Sequence, residues 1–452
     1  MLPASPWVRW ASALVVAFFA LHLLFQTASP SYAHKTSFDN AKVRLGLKDR
    51  PAETWAGGRK LQPWEKTPAT AWPVDADGND LAFNATRAQE EKVSATFVML
   101  ARNRDVWGAV DSIRGLEDRF NRRYHYTWTF LNDEPFSEEF KRHTSAIASS
   151  KTQYGVVPKE QWGDQFPEWI DEKRANEAIA EMGKKNIPYG GSVPCASVPA
   201  SFVFLAYVWS SLPALSLTGP SYLADRRMCR YQSGFFFRHE LLAEYEFYWR
   251  VEPDVQFTCD ITYDPFRRMK DEEKVYGWVV SLYEYQDTIP TLFKETKDFM
   301  KAHPEHVAEP NLMPWISNDK GETYNGCHFW SNFEIARLDF WQSDAYMAYF
   351  DHLDKSGGFF YERWGDAPVH SLAAALFLHP NQTIFLREIG YYHPGFSHCP
   401  LPKDGVRCAC STTTDDDPHP AFEFHGFSCT PAWKKITGDR AASPFAGAHG
   451  PH

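Results

Sequence analysis

From residue 95 onward, short apolar runs alternate with stretches of helical period. Ala95-Thr96-Phe97-Val98-Met99-Leu100 reads as a buried strand, and the polar stretch 101–105 follows as a loop. Val110, Ile113, Leu116 and Phe120 fall at helical spacing and predict an amphipathic helix over about 107–120. Tyr126-Thr127-Trp128-Thr129-Phe130-Leu131 is a second strand. Strand, loop, helix and strand at this spacing define an α/β pattern of the nucleotide-binding kind. A ligand is expected beyond the first strand's carboxyl end, near residues 102–105. Neither GxGxxG nor GxxxxGK[ST] occurs, which disfavours a dinucleotide or P-loop site. Further strands are predicted at 247–255 and 275–283, and helices near 290–302, 333–354 and 366–378.

The flanks follow different patterns. Residues 10–25 form an apolar run preceded by Arg9, at the short end for a membrane span. The competing reading is a signal peptide cleaved after Ser31-Tyr32-Ala33; the length of the run favours a retained anchor. Either reading places the remainder in the secretory lumen. Residues 27–92 lack sustained periodicity and read as a stem. The expected organisation is a cytoplasmic tail and signal anchor at 1–26, the stem, a catalytic domain at 93–436 and a disordered tail at 437–452.

Composition narrows the function. The formal net charge of −10 and the lack of a long basic run exclude nucleic acid as the main partner. Eight cysteines in an oxidising lumen imply disulfides, and Cys399, Cys408, Cys410 and Cys429 are spaced unlike a zinc site. Their pairing does not follow from the sequence. Asn84-Ala85-Thr86 and Asn381-Gln382-Thr383 are glycosylation sequons.

The candidate chemistry centres on Glu252-Pro253-Asp254, which closes the apolar run Tyr248-Trp249-Arg250-Val251. Positions i and i+2 of a strand share a face, so both carboxylates are expected to project together. Two carboxylates at a strand end suit a hard divalent cation. The plainer alternative is a turn with two solvated acids. Paired carboxylates also fit a secreted glycosidase, which needs neither metal nor nucleotide.

Longer motifs carry a resemblance. Residues 95–103, Tyr248-Trp249-Arg250-Val251-Glu252-Pro253, the stretch 328–335, the stretch 361–370 and Ile389-Gly390-Tyr391-Tyr392-His393 occur in this order. In these stretches the chain resembles the fungal α-1,2-mannosyltransferases of glycosyltransferase family 15, over roughly residues 93–435. The resemblance implies a Golgi type II membrane enzyme with an α/β, GT-A-like nucleotide-sugar-binding domain built on a central mixed sheet. It implies transfer of mannose from GDP-mannose to a mannose-containing glycan, with Mn²⁺ and with retention of configuration. It assigns Glu252 and His393 as metal ligands, with Asp254 secondary, and Glu334 as nucleophile or front-face stabiliser. It places Arg102 and Asn103 in the nucleotide-binding segment. Asp366, after Gly365, reads as a helix N-cap and as an acceptor-site candidate.

One segment departs from that pattern. Residues 194–225 separate Tyr189-Gly190-Gly191-Ser192 from Arg226-Arg227-Met228-Cys229-Arg230, which family members join almost directly. The segment is apolar, uncharged until Asp225 and broken by Pro199, Pro213 and Pro220. It reads as a translated intron or gene-model error, with a surface insertion as the alternative. Asp225 stands where the family carries an active-site tyrosine, with Tyr222 the nearest substitute. A catalytically impaired, sugar-binding family member is therefore the competing functional reading.

Overall fold

The structure, a computed structural model, describes residues 92–163, 165–185, 187, 221–401, 406–410 and 427–438. The expected anchor, stem and tail, Asn84 and most of the 194–225 segment lie outside the described residues. Among the described residues no helix is long and apolar enough to cross a membrane.

In chain order the strands are β1 (Ala95–Leu100), β2 (Thr127–Asn132), β3 (Thr152–Val156), β4 (Phe247–Arg250), β5 (Gln256–Phe257) and β6 (Tyr276–Trp278). They continue as β7 (Ser281–Tyr283), β8 (Cys327–Phe329), β9 (Glu334–Arg337), β10 (Thr383–Phe385), β11 (Tyr391–His393) and β12 (Phe396–His398). The helices that shape the site and its surroundings are α1 (Val106–Leu116), α2 (Ser221–Gly234), α3 (Pro265–Asp271), α4 (Leu292–Ala302), α5 (Asp344–Ser356) and α6 (Asp366–Phe377).

The central sheet is mixed and seven-stranded, in the order β10-β6-β9-β4-β1-β2-β3. Only β9 runs against its neighbours β4 and β6; the other pairings are parallel. Alternation along each strand divides the core into two layers. Phe97, Trp128, Phe247 and Trp249 pack on one face with Ile113 and Leu116 of α1. Val98, Tyr248, Tyr276 and Trp278 pack on the other with Tyr346 and Phe350 of α5 and Leu372 of α6.

Four boundaries differ from the periodicity, the first being the strand expected over 247–255, which ends at Arg250. The helix expected over 333–354 opens as strand β9, because Glu334-Ile335-Ala336-Arg337 pairs in register with β4. Long-range pairing there overrides local period, and α5 begins only after the Ser343 side chain caps the Tyr346 amide. The strand expected over 275–283 breaks at Val279-Val280, where the chain leaves the central sheet so that β7 can pair with β8. The helix expected over 107–120 widens after Leu116, where the buried Glu117 carboxylate accepts from Asn121 and from the Trp128 indole, each at 2.7 Å.

All four C-terminal cysteines are bridged, as Cys259–Cys408, Cys327–Cys429 and Cys399–Cys410. Cys229, buried on α2, takes no part in these three bridges. Asn381 is exposed in the turn that leads into β10.

Candidate active site

Topology gathers the candidate residues at one edge of the sheet. β1 and β4 are parallel, so the Arg102 loop and Glu252 both leave at carboxyl ends. β9 is antiparallel to β4 and starts at that same edge, with Glu334 directly opposite Arg250.

Glu252 and His393 converge although 141 positions separate them in the chain, Glu252 Oε2 lying 3.3 Å from His393 Nε2. Strand pairing explains the meeting. β5, just beyond the Glu252 turn, pairs antiparallel with β11, matching Gln256 to Tyr392 and Phe257 to Tyr391. β11 then turns through Pro394-Gly395 into β12. Gly395 has φ +105°, a conformation that favours glycine. The Glu252 turn is pinned to α1 by Asp254 N–H donating to Gly108 O at 3.1 Å and Val255 N–H donating to Ser112 Oγ at 3.0 Å. The side chains of Glu252 and His393 stay 22 % and 18 % exposed, so both are open to a ligand. Trp330 stands edge-on to the imidazole, with ring centroids 4.8 Å apart.

Behind Glu252 lies a buried charge network. Arg250 donates to Glu252 Oε1 at 2.6 Å and to Asp366 Oδ2 at 2.5 Å, and Ser331 Oγ donates to the same Asp366 oxygen at 2.7 Å. Burial alone would raise the Glu252 carboxyl; the Arg250 guanidinium and then His393 outweigh it and hold the pKa below the ordinary value. For Asp366 burial again acts upward, and Arg250, His370 and Ser331 bring it below the ordinary value. Arg250 is pushed the other way: burial opposes its charge, yet Asp366, Glu252 and Glu334 hold its pKa well above normal.

Glu334 lies in the core beneath this network. It is a strand residue with no exposed surface. Its carboxylate accepts from Tyr248 Oη at 2.6 Å and Tyr276 Oη at 3.0 Å, and contacts His370 Nδ1 at 3.0 Å. The other His370 nitrogen lies 3.1 Å from the Gln232 carbonyl of α2. Burial, and then the Glu334 charge and hydrogen bond, push both tyrosine hydroxyls far above their usual pKa, so both remain donors. The helix expected over 333–354 would have put Glu334 in its first turn; the structure puts it on β9.

The other candidates fall in separate places. Asp254 adopts φ +65° and turns to α1; a methyl group on Gly108 would lie 2.6 Å from its Oδ1. The expected shared face with Glu252 is lost, because Pro253-Asp254 forms a turn and not a continued strand. Among the described residues no third histidine, cysteine or acid joins Glu252 and His393 within 4.8 Å. Asp366 is not the N-cap, which is Gly365, and it is 6 % exposed and locked to Arg250, so it presents little surface to an acceptor. Arg102 Nε donates to Asp105 at 2.9 Å, and Asn103 bridges to Glu134 and Pro135 while accepting from Ser137 N–H, fixing the loop beyond β1.

The fold is that of solved mannosyltransferases. The mannosyltransferase Ktr4p from S. cerevisiae, in complex with GDP, superposes with a TM-score of 0.66 at 34 % identity, over 77 % of this chain and 82 % of that one. Core-mannan synthase A of Aspergillus fumigatus, in its Mn/GDP form, gives 0.66 at 34 %, over 83 % and 94 %. In sequence, the chain is 50 % identical over 342 residues to alpha-1,2 mannosyltransferase KTR1 of Saccharomyces cerevisiae, covering 76 % of this chain and 78 % of that protein. It is 48 % identical over 343 residues to glycolipid 2-alpha-mannosyltransferase 1 of Candida albicans, covering 75 % and 71 %. The glycolipid 2-alpha-mannosyltransferase family matches residues 64–197 and 219–438, and the chain belongs to that family. The match skips 198–218, inside the anomalous 194–225 segment.

Proposed function

We propose that this chain is a Mn²⁺-dependent, retaining α-1,2-mannosyltransferase with a GT-A-like domain, moving mannose from GDP-mannose to a mannosyl glycan. Residues 10–25 would anchor it as a single-pass type II protein with this domain in the Golgi lumen. The relatives' activities and the GDP- and Mn/GDP-bound neighbours support the reading. The observation that carries it is the open Glu252–His393 pair at 3.3 Å.

The residues present fit the metal. A carboxylate oxygen and an imidazole nitrogen at this separation suit adjacent ligands of one cation, and both donor types suit Mn²⁺. Bound there with diphosphate oxygens and water, Mn²⁺ would offset the diphosphate charge and make GDP a better leaving group. Arg250 occupies Glu252 Oε1, which leaves Oε2 turned to His393. The half-exposed Arg102 guanidinium lies on a fixed loop at the same sheet edge and is suited to a phosphate oxygen. Glu334 already holds Tyr248, Tyr276 and His370, so in this reading it positions these three side chains and does not attack the sugar. That arrangement favours same-face substitution over a covalent intermediate on Glu334.

The test is mannose transfer from GDP-mannose with and without Mn²⁺. Glu252→Gln and His393→Ala should each abolish metal-dependent transfer while leaving the thermal melt within a few degrees of the wild type. Undiminished transfer by either variant would refute the assignment. Amino-terminal sequencing tests the anchor, and a mature terminus at His34 would overturn it. The impaired, sugar-binding reading rests on the unmatched 198–218 stretch. Deleting residues 194–224 with Asp225→Tyr decides it: a large gain in transfer favours that reading, and unchanged transfer removes it.

A further inference from the structure

We propose that His303, Glu305 and His306 form a second metal site, for a late first-row divalent cation with zinc as its first candidate, separate from the Glu252–His393 pair. The three ligand atoms lie within 4.8 Å of one another. His303 Nδ1 is 3.2 Å and His306 Nε2 is 4.0 Å from Glu305 Oε1. Zinc bonds of about 2.0–2.2 Å in a tetrahedron put neighbouring ligand atoms roughly 3.4 Å apart. Closing the His306–Glu305 gap asks for a shift well under 1 Å, and bringing together the two histidine nitrogens, which lie within 4.8 Å, asks for at most about 1.4 Å. The side chains of His303 and Glu305 are 42 % and 61 % exposed, so they are free to make it.

Local structure assembles the site. Pro304–His306 is a single tight turn with proline at its first position, following directly from the end of α4. Residues three apart eclipse in such a turn, which brings both imidazoles to one side. The His303 and His306 rings lie nearly parallel, with centroids 5.7 Å apart and an interplanar angle of 18°. Phe299, one turn back in α4, contacts both rings, at 4.9 Å and 6.2 Å. His303 also closes the carboxyl end of α4, where the outward carbonyl dipoles favour a cation. Two imidazoles and one carboxylate are a borderline donor set that ranks zinc, nickel and copper above manganese. Three protein ligands leave a position for water or a fourth group.

The experiment is zinc titration of the full chain by equilibrium dialysis in excess Mn²⁺, comparing the wild type with His303→Gln/His306→Gln. The wild type should bind one zinc equivalent more than the variant, while Mn²⁺-dependent transfer is the same in both. Equal zinc stoichiometry and affinity in the two proteins would overturn the proposal, leaving an ordinary surface His–Glu hydrogen bond. Zinc-edge anomalous diffraction on the unaltered chain supplies a readout that needs no variant. A peak bonded to all three atoms supports the site, and zinc found only elsewhere overturns it. Both readouts report binding, so neither depends on the enzyme being a mannosyltransferase.

Discussion

Arg250→Met is the most informative single perturbation. It removes a buried guanidinium that serves Asp366 at 2.5 Å and Glu252 at 2.6 Å, with Ser331 at 3.4 Å. Breaking a buried ion pair from one side costs about 3–5 kcal/mol, because the partner charge is left uncompensated. Asp366, with 8 % of its side chain exposed, carries most of that penalty, whereas Glu252, at 22 %, can recover some hydration. Against a total stability of about 5–15 kcal/mol, a loss of this size is readily measured by denaturant titration.

The pH dependence identifies the cause. In the wild type both carboxyls sit below their ordinary pKa, so their contribution is complete above about pH 4 and is lost as pH falls through the folded values. Without Arg250, burial is opposed only by the weaker partners, and the folded pKa of Asp366 should rise above its unfolded value. The variant's deficit should therefore grow from pH 4 towards pH 7 and narrow in acid. Arg250→Met/Asp366→Asn removes both charges and should recover at least about 2 kcal/mol, since a neutral pair no longer buries an unpaired ion. Transfer should stay low in the double variant, because Glu252 has lost the donor that orients it. A deficit under about 1 kcal/mol, the size of an exposed ion pair, or a double variant no more stable than the single, would refute this account of the network.

Gly395→Ala should cost about 1–2 kcal/mol through backbone strain alone, since nothing lies within 4 Å of the added methyl group. It should also weaken Mn²⁺ activation by displacing His393, and unchanged activation would argue against the hairpin as the element that sets it. Glu334→Gln should lower stability by about 1–3 kcal/mol, as one of three buried donors loses its acceptor. Residual transfer that falls in step with stability supports a positioning role, whereas complete loss with an intact fold indicates a nucleophile. Asp264, which caps α3 and is pushed up to about 6 mainly by burial, binds a proton more readily folded than unfolded. Stability from this residue should fall as pH rises from about 4 to 6, so Asp264→Asn should flatten that slope by roughly 1–3 kcal/mol; an unchanged slope refutes the assignment.

The strands and the meeting of Glu252 with His393 are legible for different reasons. β1 and β2 are apolar runs whose alternation is local, and their expected spans lie within a residue of the observed ones, whereas β4 ends at Arg250, short of the expected 255. Glu252 and His393 were legible only through long motifs, because the element that joins them, β5, has two residues and carries no periodic signal. Glu334 was misplaced because Phe333, Ile335 and Ala336 suit helix and strand alike, and only pairing with β4 decides. Arg250 was the missed signal: an arginine inside a buried aromatic strand requires acid partners, and two stand nearby in Glu252 and Asp366. His370, on the expected 366–378 helix, gives no comparable sign, since its partner Glu334 lies 36 positions away on strand β9. The same geometry explains why Asp254 does not join Glu252 on one face. Alternation along a strand stops at the Pro253-Asp254 turn, and the residue that meets Glu252, His393, comes from a separate hairpin. The Glu252–His393 separation therefore depends on the register of β5 against β11 as much as on either side chain.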